Sequence, residues 1–118
     1  MRYLMLVSNP ENSGPPPQAL FEAIQKLGEE AVKAGVMVET GGLGPSALGA
    51  RIRIAGGNLT ITDGPFSEAK ELIGGYAVYE LKSKEEAIEW GRRFMEVHRE
   101  HWPEFEGVTE IREVVFRQ

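Results

Sequence analysis

The chain contains no cysteine. That removes disulfides, thiol catalysis and cysteine-ligated zinc, and it fits a reducing, cytoplasmic setting. Basic residues are outnumbered, 13 against 18 acidic, for a net charge of −5. The longest basic stretch is Arg92-Arg93, so a phosphate backbone is repelled and no nucleic-acid partner is expected. Long apolar runs are missing too: none approaches the roughly 18 residues of a membrane span. Met1 to Val7 carries one positive charge and then meets Ser8-Asn9-Pro10, which reads as a first strand rather than a signal peptide, and no membrane partner is expected. No repeat or linker divides the sequence, so residues 1–118 read as a single domain of ordinary size. With 42% hydrophobic residues it can build a core without a metal or disulfide staple.

What is present has a clear local grammar. Residues 2–8 form a near-continuous apolar run, as in a strand buried on both faces. Asn9, Pro10, Asn12, Gly14 and Pro15-Pro16-Pro17 then force a loop. A helix is expected from about Pro17, because Leu20, Ile24, Leu27 and Ala31 recur at helical spacing before Gly35 stops it. Residues 36–39 read as a second strand and 41–45 as a loop. Residues 50–55 and 58–62 alternate around Gly56-Gly57, the pair a two-residue hairpin turn requires. That register sets Ile54 opposite Leu59 and Ile52 opposite Ile61, with Arg53 opposite Thr60 and Arg51 opposite Thr62 on the other face. Residues 75–81 are a further strand, and Ser83 with Glu86 forms a capping box. The helix it opens is expected to bury Ala87, Ile88, Gly91, Phe94 and Met95 and to pair Glu89 with Arg93. Residues 108–116 close the chain as a strand. The fold class is α+β: an antiparallel sheet, two helices on one face and a central β-hairpin. The uncovered face carries Tyr76, Val78, Ile111 and Val115, and a second copy of the chain is the economical cover, giving a homodimer.

The candidate functional point is Asp63-Gly64-Pro65-Phe66. Its residues suit a turn on local grounds alone. The alternative is a carboxylate at a strand end beside Arg51 or Arg53, facing a cleft as a general base or a ligand for a polar molecule. A carboxylate beside a guanidinium stays ionised, which favours binding over proton shuttling. His98 and His101 lie i,i+3 near the end of the second helix. No third ligand accompanies them and the spacing is not that of a zinc-protease helix, so no metal is expected. His98 near Trp102, charged at the helix C-terminus, is the alternative to a catalytic role for either histidine. Gly41-Gly42-Leu43-Gly44 lacks the lysine-serine end of a phosphate loop and no helix follows, so it reads as a turn; no cofactor is expected.

Residues 62–71, Thr-Asp-Gly-Pro-Phe-Ser-Glu-Ala-Lys-Glu, followed by Gly74-Gly75-Tyr76, resemble the signature of the DGPF branch of the YCII-related family. Gly42-Leu43-Gly44-Pro45 is similar to its G-L-x-P loop, Arg53 matches its arginine before the turn, and Glu110-Ile111-Arg112 its closing strand. Ser83, Glu86-Ala87 and Glu89-Trp90 are similar to its second helix. Ala69 stands where threonine is usual, Glu113 where proline is usual, and the second helix runs on to Trp102. The resemblance implies a ferredoxin-like dimeric α+β barrel with a pocket near the aspartate. Relatives in that family carry an early histidine thought to pair with the aspartate; residues 9–17 hold none, so only His98 or His101 could take that place. The expected reading is a protein binding a small polar molecule, with catalysis left open, through Asp63, Arg51, Arg53, Phe66, Tyr76 and Trp90. The alternative is a non-catalytic interaction module tied to transcription initiation, since some relatives are encoded beside alternative sigma factors.

Overall fold

A computed structural model describes residues 1–66 and 71–116. Residues 67–70 of the signature lie outside the described residues. The order is β1 (Arg2–Asn9), α1 (Gln18–Lys33), β2 (Met37–Gly42), a single 3-10 turn (Ser46–Leu48), β3 (Ala50–Ala55), β4 (Asn58–Asp63), β5 (Leu72–Glu80), α2 (Lys84–His101) and β6 (Val108–Glu113). Four strands make one antiparallel sheet in the spatial order β2-β5-β1-β6, and β3 pairs with β4 in a separate ribbon. With the ribbon set aside the chain runs β-α-β-β-α-β, an order and pairing compatible with a ferredoxin-like fold.

The pleat explains the core. Tyr3, Met5 and Tyr79 alternate onto the face that receives Ala31 of α1 and Ala87 of α2, with Leu81 closing one end. Each large side chain so buried contributes about 1.5–3 kcal/mol. α1 buries Leu20, Leu27 and Ala31 on one stripe. α2 starts where Ser83 Oγ accepts the Glu86 amide at 3.2 Å, while the Glu86 carboxylate accepts the Lys82 amide at 3.1 Å, one residue earlier than a capping box would have it. Its buried stripe runs Ala87, Gly91, His98. Ile88, expected inside, is next to that stripe and half exposed.

Other expectations shift in instructive ways. Glu89 pairs with Arg92 at 2.7 Å, and Arg93 instead reaches across to Glu30 of α1 while lying over the Trp90 ring. β2 continues through Gly41-Gly42, which the sequence suggested as loop, and β6 stops at Glu113. Ile111 packs on the core side, where a Cβ on Gly91 would meet it at 3.2 Å. The opposite face carries Leu4 and Leu6 in register with Val78 and Tyr76. No helix among the described residues is long and apolar enough to cross a membrane.

The ribbon has the predicted register: Ile54 opposite Leu59, Ile52 opposite Ile61. Gly56 and Gly57 turn it with φ of 57° and 78°, values that side-chain-bearing residues rarely adopt. Its four aliphatic side chains are 61–74% exposed, so this apolar row is not part of the core.

Candidate functional site

The Asp63-Gly64-Pro65-Phe66 turn is held by the Ser46–Gly49 segment, which Glu11 holds in its turn. The Gly64 amide donates to the Gly49 carbonyl at 2.9 Å, and the Gly64-Pro65 peptide is cis. A Cβ on Gly64 would sit 1.7 Å from the Ser46 carbonyl oxygen, so glycine is required for close approach. The Phe66 amide donates to Ser46 Oγ at 3.2 Å. The Ser46 hydroxyl and amide in turn donate to the two Glu11 carboxylate oxygens at 2.7 and 2.5 Å. Those bonds hold the Glu11 carboxyl below its ordinary range, the Ser46 hydroxyl being the larger cause and its amide the next. The Arg51 guanidinium lies over the Phe66 ring, 4.1 Å from its centroid. Glu11, Ser46, Arg51, Phe66 and Glu71 line an outer cleft of 660 Å³.

Behind it, between the sheet and the helices, lies a second cavity of 480 Å³. Phe21 and Ile24 of α1, Phe94 and His98 of α2, and Trp102 and Phe105 beyond α2 supply an apolar and aromatic wall. Gly41, Gly42, Gly74 and Gly75 line the strand side and leave backbone bare there. Asn9, Gly14 and Gly74 border both cavities, so the two adjoin. Volumes in this range suit small-molecule sites.

His98 lines the inner chamber and is only 6% exposed. Its ring sits between Phe94 and Phe105, each 4.6 Å away by centroid. Nδ1 lies 2.9 Å from the Phe94 carbonyl, and since a carbonyl only accepts, Nδ1 carries the proton. Burial lowers the imidazole pKa below its ordinary value, and the Phe94 bond opposes this more weakly. The ring is therefore neutral near pH 7, in contrast to the cation expected at a helix C-terminus; desolvation outweighs the helix dipole. Thr109 Oγ1, on the same chamber, is buried without a hydrogen-bond partner among the described residues.

The sequence candidates are distributed unevenly over this geometry. Arg51 and Phe66 line the outer cleft and His98 the inner chamber; Tyr76 borders that chamber too, although the pleat sets it with Leu6 on the opposite sheet face. The Tyr76 ring lies across Gly41 and its hydroxyl donates to Glu39; that bond is the main cause that raises its pKa. Asp63, Arg53, Trp90 and His101 border neither cavity. Asp63 is set opposite Ala50, on the ribbon face of Ile61 and Ile52, whereas Arg51 and Arg53 occupy the other face. No ion pair joins Asp63 to either arginine among the described residues. Trp90 stacks on Tyr79 in the core, 5.7 Å between centroids. Among the described residues no group of three or more potential metal ligands occurs. Glu11, Ser46 and Thr109 were not singled out from the sequence; the Glu11–Ser46 contact spans 35 positions and leaves no local signal.

Comparison with known proteins gives the family. An uncharacterized protein of Rhizobium meliloti (strain 1021) is 32% identical over 72 residues, which is 61% of this chain and 56% of that relative. The match thus spans little more than half of the relative. The model of the YCII-related domain matches residues 1–115, nearly the whole sequence, and the chain belongs to the YCII-related family.

Proposed function

We propose that this protein, a member of the DGPF branch by its Thr62-to-Phe66 signature, binds a small amphipathic molecule in the cytoplasm. The ligand lays an apolar body in the inner chamber and directs a polar end into the outer cleft beside the Asp63 turn. The observation that carries this reading is the pair of adjoining cavities, one walled by aromatic side chains and the other by Glu11, Ser46, Arg51 and Glu71. The polar molecule expected from the sequence becomes one with a polar end only. A thermal-shift screen of small amphipathic acids, alcohols and amines tests it. Hits should stabilise the wild type and lose their effect in Ile24→Trp, which places an indole in the chamber. Hits that persist unchanged in Ile24→Trp would place binding elsewhere. Asp63→Asn, if it folds normally yet loses those hits, assigns the turn carboxylate to the site.

The ribbon favours a second element of the reading, a homodimer. Two-stranded hairpins are marginal in water on their own, and a contiguous row of four exposed aliphatic side chains is more than scattered surface residues give. A second copy related by a two-fold axis offers the strip Leu4, Leu6, Tyr76 and Val78, or an identical ribbon, to cover it. Light scattering at micromolar concentration should give twice the chain mass, falling to one chain mass in Ile54→Lys with Leu59→Lys. A monomeric wild type refutes the dimer.

A further inference from the structure

The inner chamber is lined by His98, one of whose ring nitrogens has no use among the described residues. His98 presents its side chain to the cavity while Nδ1–H is committed to the Phe94 carbonyl. The remaining ring nitrogen, Nε2, is then a lone-pair acceptor, and no hydrogen bond to it is found among the described residues. Thr109 Oγ1, buried nearby, has no hydrogen-bond partner among the described residues. Around His98 the lining is Phe21, Ile24, Phe94, Trp102 and Phe105, with Asn9, Thr40 and Tyr76 among the other polar side chains of the chamber. In so apolar a wall an unmet polar atom costs free energy that a matched ligand group removes.

We infer that His98 Nε2 is a ligand-binding acceptor that selects molecules carrying a hydroxyl or N–H donor on an otherwise apolar, ring-sized body. This rests on the chamber being the ligand site and adds the chemical class of its occupant. The tautomer decides the sign of recognition: an imidazole whose donor is fixed to the helix backbone accepts from the ligand and offers nothing to a carbonyl or ether. An aromatic wall suits a flat ring of the phenol type, and one donor on that ring distinguishes it from its hydrocarbon analogue. Sites built to bond a substrate hydroxyl reject the analogue lacking it far more strongly than apolar pockets reject a missing methylene.

The test compares para-propylphenol with propylbenzene on the full chain by calorimetry. The phenol should bind wild type at least about tenfold more tightly, and His98→Phe should bring the two affinities to near equality. Thr109→Val should raise the melting temperature of the free protein, because an unpartnered buried hydroxyl is removed, and should leave the preference for the phenol in place. Nitrogen NMR of labelled histidine provides a reading that does not depend on a variant folding: the Nε2 resonance of His98 should move with the phenol and stay in place with propylbenzene. Equal affinities in wild type, or a preference that survives His98→Phe, overturn the inference while leaving the chamber as a binding site. If neither probe binds, the inference fails, and the chamber reading is judged by the Ile24→Trp comparison alone.

Discussion

The two cavities share a border at Asn9, Gly14 and Gly74 but are shaped by different physics. The inner chamber is the unfilled end of the hydrophobic core, walled by the same stripes of α1 and α2 that bury Leu20 and His98. The outer cleft is a meeting of loops, pinned by the Glu11 carboxylate on Ser46 and by glycine's fit at position 64. Packing sets the first, and a few directional contacts set the second. The inner chamber should therefore be robust to loop changes, and the outer cleft robust to nothing that moves Ser46.

The largest effect expected is on the inner side. Leu20 is 1% exposed and touches the chamber, so Leu20→Ala should cost about 2–5 kcal/mol in urea unfolding. A loss under 1 kcal/mol would mean the helix is not held by this stripe. Next comes Gly64→Ala, whose Cβ collides with the Ser46 carbonyl; a cost of about 1–3 kcal/mol is expected. Amide shifts should concentrate at Glu11, Ser46 and Phe66 and leave Gly75 and Thr109 in place. Shifts that spread equally through the chamber would dissolve the distinction between the two cavities.

Smaller effects follow from protons. The folded His98 pKa is depressed from 6.5 by burial. The unfolded chain therefore takes up the proton first, and stability falls as pH drops below about 6.5 until the folded ring also titrates. His98→Phe should flatten that slope, as read by melting temperature across the acid range. At Glu11 the folded value is also depressed, here from 4.5, so its contribution is present above that pH and fades as pH falls through the folded value. Ser46→Ala should return the Glu11 titration toward 4.5, with little change in the body; an unchanged titration would show that the clamp is not formed in solution.

Much of the framework was legible from local patterns. Gly56-Gly57 and strict alternation fixed Ile54 against Leu59, because hairpin register depends only on neighbours in sequence. The stripe Leu20, Leu27, Ala31 was equally local. The same alternation already places Asp63 with Ile61 rather than with the arginines, a signal present in the sequence that the turn motif overshadowed. The ribbon's separation from the main sheet was not legible, since pairing β5 to β1 and β2 depends on contacts distant in sequence. A cavity is legible least of all: it records what Phe21, Phe94 and Phe105 together fail to fill.

The central claim is that the inner chamber, not the exposed aliphatic ribbon, receives the apolar body of a small molecule. Titration with propylbenzene, followed by proton–nitrogen and methyl spectra, tests it most directly. Saturable shifts at Ile24, Gly74, Gly75 and Thr109 are predicted. Shifts confined to Ile52, Ile54, Leu59 and Ile61, or shifts that never saturate, would contradict it.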